Sequence, residues 1–161
     1  MALNKCSRFH KISGDFGEML FLYWLGKNGF EPAFIDHTGI DLLAFHKETK
    51  RRFGISIKTR TRDPLNRESE TVNLNIGEIP KIKKACNDFV AEPYVGVVVD
   101  WVVNGVNRID CILISLDDLC QISPPGKANI SIGLKESRWK QYESKSCLWL
   151  HFTYNKAVNI T

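Results

Sequence analysis

The dipeptide Asn104-Gly105 constrains this chain more than any other pair of neighbouring residues. Both residue types accept the positive φ angles of a two-residue hairpin turn, and apolar runs flank the pair at 94–103 and 106–115. A long antiparallel hairpin is therefore predicted, and with it a sheet against which the remaining elements must pack.

Upstream, residues 13–28 carry Phe16, Met19, Leu20, Leu22, Tyr23, Trp24 and Leu25 and end at Asn28-Gly29, which predicts a core helix. Residues 30–35 read as a strand interrupted by Pro32, which predicts either an edge position or a late start. Residues 41–46 and 52–58 read as two strands joined by the charged turn 46–50. The polar segment 61–75, with Pro64, Arg67, Glu68 and Glu70, reads as a mobile loop. At 76–90, Ile79, Ile82, Ala85, Cys86 and Phe89 recur at helical spacing, which predicts a second helix with Lys81, Lys83 and Lys84 mainly off its apolar stripe. A helical turn at 116–119, a Pro124-Pro125-Gly126 loop and strands at 129–134 and 147–153 complete the chain. The expected fold class is α/β, and residues 1–161 are expected to form one domain, because 43% hydrophobic and 25% charged residues suit a single core at this length.

No apolar run is long enough to span a bilayer and no signal-peptide pattern opens the sequence, so a cytoplasmic protein without a membrane partner is expected. The five cysteines, Cys6, Cys86, Cys111, Cys120 and Cys147, lack C-x-x-C spacing and are odd in number; they are expected to be reduced and mostly buried. His10, His37, His46 and His151 share no metal-ligand spacing. The net charge of +4 is unevenly spread: residues 1–62 hold 11 Lys and Arg against 6 Asp and Glu, the remainder 11 against 12. Lys50, Arg51, Arg52, Lys58, Arg60 and Arg62 occur with no acid between them, and this basic stretch brackets the strand at 52–58.

Strand alternation puts Ser56 and Lys58 on one face of that strand, with Ile55 and Ile57 on the other; Asp41, Leu43 and Phe45 share a face of the preceding strand. A register that sets Asp41 beside the end of 52–58 brings a carboxylate and an ammonium to one sheet edge. Glu18 shares a helical stripe with Leu22 and Leu25, where a lone carboxylate is costly unless it holds a metal or a partner. Other readings stand beside these. Asp15-Phe16-Gly17-Glu18 matches a capping box, Asp41 suits a turn acid, and Ser56 suits a plain polar position on a strand. Trp24, Trp101 and Trp149 are expected in the core, whereas Trp139, between Arg138 and Lys140, is the candidate for base stacking.

The segments Gly14-Asp15-Phe16-Gly17-Glu18, Gly39-Ile40-Asp41 and Ser56-Ile57-Lys58-Thr59-Arg60 resemble, in order and setting, the PD-(D/E)xK nuclease superfamily, which includes type II restriction enzymes and archaeal Holliday-junction resolvases. The resemblance covers roughly the first 60 residues, and more loosely the element order as far as Ser115. It implies a restriction-endonuclease-like mixed sheet with core order α-β-β-β-α-β, here with an additional C-terminal strand region. It also implies Mg²⁺-assisted attack of water on a phosphodiester, with Mn²⁺ as an alternative ion, Asp41 and Glu18 on the metal, and Lys58 at the scissile phosphate. A homodimer and a nucleic-acid partner, DNA ahead of RNA, follow from the same likeness. Arg60 and Arg62, just beyond Lys58, together with Arg52 and Lys84, are the expected contacts to that partner.

Ser56 departs from the pattern, which places a carboxylate there. A hydroxyl is a weak neutral ligand that does not offset a divalent charge. Either a carboxylate has moved in from another element, with Glu48, Asp63, Glu68 and Glu70 as candidates, or the chain is a catalytically degenerate nuclease-fold protein that binds nucleic acid or serves in assembly. An unrelated α/β protein in which Asp41 and Lys58 coincide by chance is the third reading.

Overall fold

The computed structural model describes residues 6–62 and 71–155. Helix α1 (Phe9–Lys27) begins four residues ahead of the predicted start, because Phe9 to Ile12 extend the helix without a breaker and Ile12 already donates to the Arg8 carbonyl. Asp15 consequently lies inside the helix with its carboxylate 3.0 Å from Lys11 Nζ. The N-cap is Arg8, so the Asp15 to Glu18 capping box is not formed. At the other end the Asn28 N–H donates to the Trp24 and Leu25 carbonyls, and Gly29 leaves the helix at φ 83°.

Strands β1 (Phe30–His37), β2 (Ile40–His46) and β3 (Arg52–Thr61) form an antiparallel meander, with Pro32 on the outer strand. Residues 71–75, read as loop from sequence, form strand β4 (Thr71–Asn75), which pairs with β7 (Asn129–Gly133) in a small second sheet. Val72 and Leu74 face inward and Asn73 and Asn75 outward, a period-2 pattern too short to register against the polar residues before it. A 3₁₀ turn (Ile76–Glu78) leads into α2 (Ile79–Asp88), followed by β5 (Glu92–Val103), β6 (Val106–Ser115), α3 (Leu116–Ile122), α4 (Glu136–Lys145) and β8 (Leu148–Tyr154). The β5–β6 turn has Asn104 at φ 51° and Gly105 at φ 79°, as its sequence requires.

Among the described residues the main sheet runs β1-β2-β3-β5-β6-β8. Its β3–β5 pair is parallel, the two strands being joined through α2, and the other neighbours are antiparallel. One face packs Phe21, Trp24 and Leu25 of α1 against Leu42, Ile55, Ile57 and Val98. The other packs Ile82 and Cys86 of α2, with Leu116, Leu119, Trp139 and Tyr142 of the later helices, against Val95, Val97 and Val99. Each large side chain buried in this way contributes about 1.5–3 kcal/mol. A one-residue slip of β3 would exchange its two faces, so the register that sets Ser56 and Lys58 toward α2 is strongly held.

Helix α4 escaped the sequence analysis because only Trp139 and Tyr142 of its ten residues are buried. Trp139 packs against Trp101, ring centroids 5.6 Å apart, and is only 1% exposed, so the base-stacking role expected of it is excluded. Trp149, expected in the core, is instead half-exposed and stacked on His151. All five cysteines are free; Cys86 and Cys111 are buried and Cys120 is half-buried, while Cys6 and Cys147 are exposed against expectation. Among the described residues no helix is long and apolar enough to cross a membrane.

Candidate active site

The β2–β3 ladder ends at the pair Leu42 and Ile55, where the strands part. Beyond that point the Asp41 side chain takes over the role of the missing backbone partner, its Oδ2 accepting the Ile57 N–H at 2.6 Å. This bond anchors the carboxylate beside the C-terminal half of β3. On the same strand Ser56 is 4% exposed and, with Lys58, faces the side covered by α2, next to Val95 and Val97 of the parallel neighbour.

Lys58 does not stand alone there. Its Nζ lies 2.7 Å from Glu78 Oε2, and both side chains are partly shielded, at 25% and 38% exposure. Glu78 ends the 3₁₀ turn, which Asn75 fixes by accepting the Gly77 N–H at 2.7 Å. The sequence offers Glu48, Asp63, Glu68 and Glu70 as candidates for a relocated carboxylate. Glu48 sits in the β2–β3 turn at the far end of the hairpin, about 20 Å from Asp41 at ~3.3 Å per residue, and so is not the acid that has moved in. The other three lie outside the described residues. The pattern Asn75-x-Gly77-Glu78-Ile79-Pro80 marks a side-chain-capped turn with proline at the helix start, but not the contact of Glu78 with Lys58.

Glu18 approaches from the opposite face of the sheet. Burial, followed by the charges of Asp41 and Asp15, holds its carboxyl above the ordinary range, against a smaller opposing pull from Lys11. Burial likewise raises Asp41; the Ile57 hydrogen bond and Lys58 oppose the rise, and Glu78 adds to it. Asp41 is thus the common member: it acts on Glu18 across the sheet and is itself acted on by Lys58 and Glu78.

Two glycines permit this convergence. A Cβ at Gly17 would overlap the Thr59 Oγ1, so α1 touches β3 directly, one residue from Glu18 and one from Lys58. Gly39, at φ 113°, packs against backbone: an added Cβ would lie 2.5 Å from the Lys81 carbonyl oxygen and 2.6 Å from its carbon. The strand that carries Asp41 is thereby pressed onto the helix that follows Glu78.

An open cleft of about 260 Å³ adjoins the site, lined by Ile57 to Arg60 of β3 and Thr71 to Asn73 of β4. Arg60 lines it and has a buried Nε with no hydrogen-bond partner. Arg62 is half-buried, its backbone N–H bound to the Asp100 carbonyl, and lies farther along the same edge. Arg52 begins β3, six residues and about 20 Å from Lys58, with its guanidinium over Phe45. Lys84 is exposed on α2 and paired with Asp88 at 2.6 Å. The basic stretch seen in sequence therefore divides: Arg60 stands beside Lys58 and Arg52 at the other end of the strand. His37 is exposed, with Nδ1 on the Thr38 carbonyl and its ring edge-on to Phe89.

Among the described residues no three His, Cys, Asp or Glu side chains close into a metal cage. Mg²⁺ does not need one, since it keeps several waters and takes one or two carboxylates together with substrate oxygens. The donor set of Glu18, Asp41 and Glu78 is all hard oxygen. Burial raises both Glu18 and Asp41, and the added repulsion, from Asp41 on Glu18 and from Glu78 on Asp41, is what a divalent cation would relieve.

No protein-family model matches this chain, and no curated protein matches it. A solved structure does: that of Archaeoglobus fulgidus Hjc, a Holliday junction resolvase from an archaeal hyperthermophile, with TM-score 0.56 over 79% of this chain and 87% of that one, at 19% identity. The likeness establishes a restriction-endonuclease-like mixed α/β fold.

Proposed function

We propose that this chain is a nuclease-fold DNA-processing protein in which Glu18, Asp41, Glu78 and Lys58 form a phosphodiester-hydrolysing site. The observation that carries the reading is the 2.7 Å contact between Glu78 and Lys58, a carboxylate beside the lysine of a strand whose Ser56 offers only a hydroxyl. The likeness in fold to a Holliday junction resolvase supports DNA as the substrate class.

Asp41 with Glu18, or Asp41 with Glu78, would hold a divalent cation, Mg²⁺ or Mn²⁺, which would supply Lewis-acid stabilisation and a more acidic water. Lys58 carries positive charge to the phosphate as negative charge develops on it. Glu78 orients that ammonium in the absence of substrate. Arg60, which lines the adjoining cleft, binds a neighbouring phosphate.

A second reading has one observation in its favour: Glu78 neutralises Lys58 while Ser56 leaves β3 without its acid, an arrangement suited to binding without turnover. Incubation of the protein with duplex, nicked, branched and single-stranded DNA in Mg²⁺ or Mn²⁺ separates the two. On the first reading the wild type cleaves, chelator stops it, and Lys58→Ala or Glu78→Gln lowers the rate by about 10²-fold or more. A silent wild type with an active Ser56→Glu variant establishes the degenerate site. Absence of DNA binding at low salt by every variant removes both readings.

A further inference from the structure

On the α2 side of the sheet, beyond the candidate active site, one fully buried carboxylate takes no part in the chemistry proposed above. Asp110 of β6 is 0% exposed, and its Oδ2 accepts both the Trp101 Nε1–H and, at 2.6 Å, the Arg108 Nε–H. Arg108 pairs with Trp101 across the β5–β6 ladder and stacks on its ring, with Cζ 5.5 Å from the centroid. A buried ion pair of this kind gains little stability over apolar side chains of similar volume, so its effect is to be sought in the guanidinium that it fixes. With Nε committed to Asp110 and one face to Trp101, Arg108 has its two Nη groups left to present as donors.

Arg108 lines a second open cleft, of about 320 Å³, together with Arg62, the end of β5, and Lys135 and Glu136 at the start of α4. The Arg62 N–H continues the β3–β5 pairing onto the Asp100 carbonyl, so the backbones of Arg62 and Arg108 flank Trp101 at a separation of about 10 Å. Three cations therefore border the cleft against one acid, Glu136, and that carboxylate is drawn along α4 to Lys140 at 3.2 Å. Glu143, another acid that senses Arg108, is not in the cleft wall. Four residues along β3 and two strands across, Arg108 stands about 16 Å from Lys58, so this cleft is separate from the candidate active site.

The geometry points to a second, anion-binding site, in which the Nη groups of Arg108 grip a phosphate group bidentately while Arg62 and Lys135 add positive charge. A planar guanidinium held by a buried carboxylate and an indole has its two donors set for a pair of oxygens before the ligand arrives. Three cations suit a phosphate better than a singly charged carboxylate. A free phosphate ester and a nucleic-acid strand carry this same chemistry, and neither requires turnover at Lys58, so the inference does not rest on the nuclease reading.

Two side-chain resonances, Arg108 Nε–H and Trp101 Nε1–H, report on the site in nitrogen–proton NMR spectra of the full chain. Inorganic phosphate at low salt is expected to move both, with half-saturation at or below about 10 mM, while chloride at equal ionic strength moves neither. Arg108→Lys keeps a positive charge beside Asp110 but loses the fork; it is expected to weaken phosphate at least about fivefold, read on the Trp101 resonance, with an unchanged circular dichroism spectrum. Lys135→Gln, at an exposed position clear of the buried pair, is expected to weaken it about twofold and keeps the proposal refutable should Arg108→Lys not fold. A nucleoside triphosphate and a single DNA strand of about 15 nucleotides identify the source, which is the probe that moves the two resonances at the lower concentration of phosphate groups. Resonances that respond to none of the three probes overturn the proposal, as does phosphate binding that both variants leave unchanged. A response to phosphate or the triphosphate without one to DNA upholds this site and counts against the nuclease reading alone.

Discussion

Gly17→Ala tests how the site is assembled, because two effects of opposite sign act on it. In the interior of an exposed helix alanine is preferred to glycine by about 1 kcal/mol, so propensity alone predicts stabilisation. Packing predicts the reverse: the new Cβ would overlap Thr59 Oγ1 and lie 3.2 Å and 3.4 Å from Thr59 Cβ and Cγ2. Thr59 is anchored in β3 between Lys58 and Arg60, so rotating its hydroxyl away does not free the space its other atoms hold. Overpacking of this kind costs about 1–3 kcal/mol, which outweighs or cancels the helix term and leaves a net loss of ~0–2 kcal/mol. For a chain of this size that corresponds to a fall in Tm of up to about 8 °C. The decisive measurement is a double-mutant cycle with Thr59→Ala. Removing Oγ1 and Cγ2 takes away the overlap, leaving only the residue-59 Cβ at 3.2 Å, and deletes a hydroxyl that is buried without a partner. In that background Gly17→Ala should be neutral or stabilising by up to ~1 kcal/mol, giving a coupling of about 2 kcal/mol. Urea or thermal unfolding of the four proteins supplies the numbers. If Gly17→Ala stabilises the wild type by the full helix term and the coupling is within about 0.5 kcal/mol of zero, α1 does not rest on β3 at this point and the account of how Glu18 reaches the site is wrong.

Three further outcomes follow from the same geometry. Burial holds the Asp41 carboxyl above its ordinary value of 3.8 in the fold, so the unfolded chain loses that proton first and the ionised residue weighs against the folded state at neutral pH. Asp41→Asn keeps an acceptor for the Ile57 N–H, and calorimetry should show a higher Tm than wild type at neutral pH. That gain should shrink as pH falls through the raised value and vanish below 3.8, where both states are protonated; a lower Tm at neutral pH would contradict it. Gly39→Ala combines a left-handed φ with a clash against the Lys81 backbone and should cost about 3 kcal/mol or more by urea unfolding, and a cost below ~1 kcal/mol would show that the β2 start does not press on α2. For DNA binding, Arg60→Ala should lower the slope of log K against log salt by about one, whereas Arg52→Ala, at the far end of β3, should leave it unchanged; equal effects would remove Arg60 from the interface.

The parts of this molecule legible in its sequence are those in which local chemistry and tertiary packing agree. Asn104-Gly105 could serve its two strands in only one way, and Asp41 and Ser56-Ile57-Lys58 announce themselves because charged or polar residues interrupt apolar strands at the alternation that later proves to be the packing. Glu18 was ambiguous for a specific reason. Its capping-box reading depended on where α1 starts, and the start is decided by Phe9 to Ile12 joining the helix, a matter that local pattern fixes only to within a few residues. Glu78 was missed because its role exists only in three dimensions. An acid in the first turn of a helix is sufficiently explained by the helix dipole, and nothing local reveals that β4 and the 3₁₀ turn carry it back over Lys58, twenty residues earlier in sequence. The same distinction separates the two alanine variants above. Gly17 and Gly39 each stand beside an acid of the site, and each is intelligible only once the opposing surface, Thr59 in one case and the Lys81 backbone in the other, is known. A candidate site drawn from residues on four elements is therefore read best not from its charged side chains but from the glycines that let those elements touch, and the Thr59 cycle measures that contact directly.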